Sequence, residues 1–96
     1  MKINSTKENG ILTVELDGRL DTSTAPEFEE FLKENCDGVN AMTVNCEKLS
    51  YVSSAGLRVL LTVHKNMKDS LKLTNVGELV MEVFEMTGFA TILNIQ

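Results

Sequence analysis

The 96-residue sequence has no tryptophan, one tyrosine, one proline, one histidine and two cysteines, and its 9 lysines and arginines are outnumbered by 14 aspartates and glutamates. Each scarcity narrows the function. At a net charge of -5 most of the surface repels a phosphate backbone, which argues against direct DNA or RNA binding. No apolar run approaches the roughly 20 residues that span a bilayer. The N-terminus MKINSTKENG has neither the basic nor the apolar region of a signal peptide. A soluble, cytoplasmic protein without membrane insertion is expected. Cys36 and Cys46 have no second ligand pair near them and no Cys-x-x-Cys spacing, so both read as buried free thiols, with no metal or other cofactor indicated. The Gly-x-Ser-x-Gly elbow and the Gly-x-x-x-x-Gly-Lys phosphate loop are also missing.

What is present suffices for one domain, residues 1–96: at 43% apolar content a chain this short supports a single core. No repeat, low-complexity tract or linker interrupts it. Asn9-Gly10 separates two runs, Ile3 to Glu8 and Ile11 to Asp17, and supplies the positive φ angles of a tight hairpin. In the second run Leu12, Val14 and Leu16 alternate with polar residues, the period of a half-buried strand. Thr24 and Glu27 then match a capping box ahead of a helix from about Ala25 to Cys36, with Pro26 in its first turn and Phe28, Phe31, Leu32 and Cys36 at helical spacing. Met42, Val44 and Cys46 read as a strand, Leu49 to Val52 as the loop after it, and Leu57, Leu60, Leu61, His64 and Met67 as the stripe of a second helix. A strand Leu71 to Val76, a helix Glu78 to Met86 closed by Gly88, and a short last strand Ile92 to Ile95 complete the pattern. Strands alternating with helices predict an α/β fold, a mixed, mostly parallel sheet opened by the hairpin.

Ser53-Ser54-Ala55-Gly56 falls where strand and loop hand over to the second helix. Amides at a helix start lack intrahelical partners and carry the positive end of the dipole, so a phosphate on Ser54 is favoured there. Residue type alone favours the plainer alternative, a serine N-cap and a glycine for close approach. His64 cannot activate Ser54: ten residues along one helix is roughly 15 Å, beyond hydrogen-bond reach, and no oxyanion motif accompanies them. A small serine hydrolase or phosphotransferase is therefore not expected. Asp21, at the end of the second strand, falls beside Ser54 if the neighbouring strand is parallel. Asn75, after the following strand, falls on the same edge. Both are also ordinary turn residues. Thr22, Ser53, Gly56 and Leu57 complete the expected surroundings of Ser54.

At Gly18-Arg19-Leu20-Asp21 with Thr24-Ala25, at Val44 through Leu57 (VNCEKLSYVSSAGL), and at Val83 through Phe89 (VFEMTGF), the sequence resembles the STAS family, in particular anti-sigma factor antagonists of the SpoIIAA kind. The resemblance implies a non-enzymatic partner switch. In that family the serine two positions before the glycine, here Ser54, is phosphorylated by the partner, an anti-sigma factor that is itself a serine kinase and holds the ATP. The unmodified antagonist binds that kinase and frees the sigma factor, the phosphorylated form lets go, and a PP2C-type phosphatase resets it. Asp21 matches the family aspartate beside the site. Two departures stand out. Ser53 occupies the place of an aspartate in the best-studied members, and the sequence stops at Gln96 without the family's C-terminal helix. That would expose an apolar strip of the sheet or of the second helix, favouring a homodimer or a different docking surface. STAS-like domains also serve stress-sensing complexes and membrane transport systems, which leaves an interaction module without a phospho-switch as the alternative.

Overall fold

The computed structural model describes residues 1–67 and 70–96. Strands β1 (Lys2–Glu8) and β2 (Ile11–Leu20) form the hairpin, with φ 53° at Asn9 and 79° at Gly10, positive at both central positions as a two-residue turn of this hand requires. Strand β2 is the hub. Its first half pairs parallel with β3 (Ala41–Asn45), Ile11 facing Ala41 and Glu15 facing Asn45. Its far end pairs parallel with β4 (Leu49–Val52), Leu20 facing Val52. Strand β5 (Leu71–Thr74) pairs parallel with β3, giving the order β1-β2-β3-β5 with β4 attached to β2.

Helices α1 (Ala25–Asn35), α2 (Ser54–Met67) and α3 (Glu78–Thr87) supply the apolar layer. Leu12, Val14, Leu16 and Leu20 of β2, Met42 and Val44 of β3, and Leu71 and Leu73 of β5 join Phe28, Leu32, Leu57, Leu60, Val63, Val80 and Phe84 of the helices in one buried cluster. Each such side chain contributes about 1.5–3 kcal/mol by leaving water. The alternate residues of the sheet, Thr6, Thr13 and Lys72 among them, are exposed, so the sheet is covered on one face only. The Cα radius of gyration, 12.1 Å, is what one domain of this length requires. Among the described residues no helix is long and apolar enough to cross a membrane.

Several local expectations are corrected. Leu49–Val52, expected as a loop, is strand β4. Ser50 is an extra residue in this strand, Leu49 and Tyr51 facing the consecutive Gly18 and Arg19, and it removes the regular alternation that periodicity detects, leaving only Leu49 and Val52 buried. Strand β5 ends at Thr74, two residues early, because Asn75 turns to φ 55°. The last strand, expected over Ile92 to Ile95, shrinks to a single parallel bridge between Ile95 and Leu73. A 3-10 turn at Phe89–Thr91 draws the Ile92 and Leu93 amides onto the Phe89 carbonyl, at 3.0 and 2.8 Å, so those residues cannot extend. Thr24 precedes α1 but makes no capping-box bond. Its hydroxyl donates instead to the Arg19 carbonyl, 2.7 Å, and accepts the Asp21 amide, 2.8 Å. Cys46 is buried as expected, and burial pushes its thiol up to about 12, whereas Cys36 is only half-buried. The most exposed large apolar side chains are Leu79 and Met86 of α3, at 70% and 86%, while Ile11 and Tyr51 of the sheet are exposed to a lesser degree.

Candidate functional site

The pairing of Leu20 with Val52 brings the ends of β2 and β4 level, and the Ser53 amide extends the ladder by one bond, donating to the Leu20 carbonyl at 2.9 Å. Helix α2 starts at the next residue. Ser53 is its N-cap: the Ser53 carbonyl accepts the Leu57 amide at 2.9 Å and its Oγ accepts the Gly56 amide at 3.4 Å. Ser54 occupies the first helical position, exposed, and its hydroxyl makes no hydrogen bond among the described residues. With Gly56 and Leu57 provided for, the amides of Ser54 and Ala55 are the donors left open at the positive end of the helix. Gly56 and Leu57 are buried. A Cβ on Gly56 would lie 2.7 Å from the Leu20 carbonyl oxygen and 2.8 Å from Leu20 Cγ, so only glycine lets α2 sit this close to β2.

Asp21 follows Leu20 directly, as Ser53 follows Val52, so the two turns are adjacent. No hydrogen bond joins Asp21 to either serine. Its carboxylate organises its own turn: Oδ1 accepts from the Ser23 amide at 3.0 Å, the Ser23 hydroxyl at 2.8 Å and the Thr24 amide at 3.2 Å, while Oδ2 meets Arg19 Nε at 3.4 Å. The bond from the Ser23 hydroxyl, with the two amides and Arg19 in support and against some desolvation, pushes the Asp21 carboxyl down from 3.8 to about 2. Asp21 is therefore a fixed negative charge at neutral pH.

Thr22, exposed between Asp21 and α1, lines a shallow depression of about 150 Å³ with Ala25, Pro26, Glu29, Ala55 and Arg58. The depression continues between α1 and α2 toward Cys36 and Val63. Asn75 is not brought to the serines. Its Nδ2 donates to Asn45 Oδ1 at 3.0 Å, and Asn45 pairs with Glu15, five positions before Leu20 and so about 17 Å short of the α2 entrance along β2. His64 lies near the far end of the continuous α2, half-buried, its Nδ1 shielded and without a hydrogen-bond partner among the described residues. Among the described residues no three His, Cys, Asp or Glu side chains converge as metal ligands. Two residues that pattern reading passed over frame the site. Arg19 stacks over Tyr51, 4.5 Å to the ring centroid, across the β2–β4 pair, and Arg58 stands one turn after Ser54 on α2. The period of a strand places Arg19 with Asp21, and that of a helix places Arg58 with Ser54; either spacing would have found them.

Known proteins align with this arrangement over its length. The family model described as STAS domain matches residues 2–96. BtrV of Bordetella bronchiseptica, provisionally designated an anti-sigma factor antagonist, is 35% identical over 96% of this chain and 83% of its own length. The anti-sigma-B factor antagonist of Staphylococcus aureus is 31% identical over 99% of this chain and 92% of its own. Among solved structures, the Bacillus cell fate determinant SpoIIAA in its phosphorylated form superimposes with a TM-score of 0.74 at 17% identity, covering 99% of this chain and 91% of that one. Its unphosphorylated form gives the same score. At that identity the likeness is one of fold.

Proposed function

The chain belongs to the STAS domain family, and on that premise we propose that it is a non-enzymatic anti-sigma factor antagonist whose binding is switched at Ser54. Unphosphorylated, it binds an anti-sigma factor with serine kinase activity and so releases the sigma factor for transcription. Phosphorylated, it lets the anti-sigma factor go, and a PP2C-type phosphatase restores it. The γ-phosphoryl group of the kinase's ATP passes to Ser54 Oγ, the hydroxyl proton goes to a base on the kinase, and ADP leaves.

The observation that carries this reading is the division between the two serines. Ser53 is occupied as the helix cap, whereas Ser54 is exposed, unbonded and set against open helix amides. A cap position accepts serine or aspartate equally well, so Ser53 in place of the family aspartate keeps the helix start and removes one negative charge. The phosphate adds about 1.5 to 2 negative charges at neutral pH, beside the ionised Asp21 turn and within the proposed contact surface, where repulsion and desolvation oppose binding. A loss of about 3 kcal/mol weakens a complex more than a hundredfold.

The test mixes wild type, Ser54→Ala and Ser53→Ala with ATP and the candidate anti-sigma kinase encoded nearest to this protein, and reads intact mass. One phosphate on wild type and on Ser53→Ala, and none on Ser54→Ala, is expected. A wild type that binds the kinase and is never modified would leave an interaction module without a switch.

A further inference from the structure

The chain has two arginines, and the structure commits only one of them. Arg19 Nε meets Asp21 Oδ2 at 3.4 Å, and its guanidinium stacks on Tyr51. Arg58 is exposed and makes no ion pair among the described residues, although Glu29 lines the same depression. Arg58 follows Ser54 by four residues on the continuous helix α2, so the two share a face with their Cβ atoms about 5–6 Å apart. An arginine side chain covers that distance readily, and its planar fork matches two phosphate oxygens.

We propose that Arg58 is a positioning residue for the phosphoserine, folding back along α2 to hold the phosphate on Ser54 against the helix entrance. This rests on the reading of Ser54 as the modified residue. The unpaired guanidinium one turn downstream is what turns an exposed serine into a defined seat for a dianion. In the unmodified protein Arg58 lines the depression with Thr22 and Ala55, free to meet an acidic group of a partner. In the modified protein it is drawn to the phosphate, so one step both adds negative charge and withdraws a positive contact. A cation this close favours the dianion over the monoanion, which keeps the switch fully charged at neutral pH, where a free phosphoserine with a second pKa near 6 still carries some monoanion.

The test needs no kinase. Phosphoserine is incorporated during translation at position 54 in wild type, Arg58→Gln, Arg58→Lys and Arg19→Gln, and the second phosphate pKa is read by 31P NMR titration. Arg58→Gln is expected to raise it by about one unit, Arg58→Lys by less, and Arg19→Gln not at all. The Arg58 Nε–H resonance should shift on phosphorylation of the wild type. Equal phosphate pKa values in wild type and Arg58→Gln, or an equal response to Arg19→Gln, would overturn the proposal. Because the phosphate is installed independently of any partner, a failure here is distinct from a failure of Ser54 to serve as a kinase substrate.

Discussion

Replacing Ser53 by alanine removes the oxygen that accepts the Gly56 amide and is expected to cost about 1 kcal/mol of stability, read as a lower urea midpoint at unchanged slope. Ser53→Asp should restore most of it. Ser54→Ala breaks no hydrogen bond in this structure and should leave the midpoint within about 0.5 kcal/mol of wild type, which makes it a clean probe of modification. At Asp21 the folded pKa, about 2, lies below the ordinary 3.8. A group depressed in this way stabilises the fold above its unfolded pKa and loses that share as pH falls through the folded one. Its contribution is therefore full above about pH 4 and fades toward pH 2. A carboxyl-carbon NMR titration should place the Asp21 midpoint well below the ordinary 3.8, and Asp21→Asn should flatten the pH dependence of stability in that window.

At the scale of elements, the join between β2 and α2 decides whether the site exists at all. Gly56→Ala gains helix propensity, about 1 kcal/mol, yet its methyl meets the Leu20 carbonyl at 2.7 Å. That carbonyl is held by the Ser53 amide and cannot retreat. Steric strain of about 1–3 kcal/mol should win, and calorimetry or urea unfolding should show a net loss rather than the gain that propensity alone gives. This join was legible in the sequence because both partners keep a regular period up to it, alternate residues in β2 and a helical stripe from Leu57. Strand β4 was not legible, since it carries the extra residue Ser50 opposite the Gly18–Arg19 step and its burial skips two residues. The same break explains Asn75: the β3 ladder stops at Asn45, and only the separate strand β4 continues to the serines, so neighbours in strand order are not neighbours at the site. The final strand failed for a local reason, the turn bonds onto the Phe89 carbonyl outcompeting an edge pairing.

Across the whole molecule, charge decides how the exposed apolar residues are used. From Leu73 to Gln96 the sequence has no lysine or arginine, and Glu78, Glu82 and Glu85 share α3 with the exposed Leu79 and Met86. Two copies meeting through α3 would bring six glutamates together, and like charges across a contact oppose it. The molecule is accordingly expected to sediment as a monomer of 10.6 kDa at low salt, with Leu79→Ser leaving that mass unchanged; a stable dimer lost in the variant would show that apolar contact outweighs the charge.

The most direct measurement of the switch is a calorimetric titration of the anti-sigma factor encoded nearest to this protein, once with the unmodified chain and once with phosphoserine incorporated at position 54. Tight binding of the unmodified form and at least a hundredfold weaker binding of the phosphorylated one is the predicted result, about 3 kcal/mol on the affinity scale. Equal affinity of the two forms would contradict a switch at Ser54 and leave the STAS fold as a constitutive interaction module.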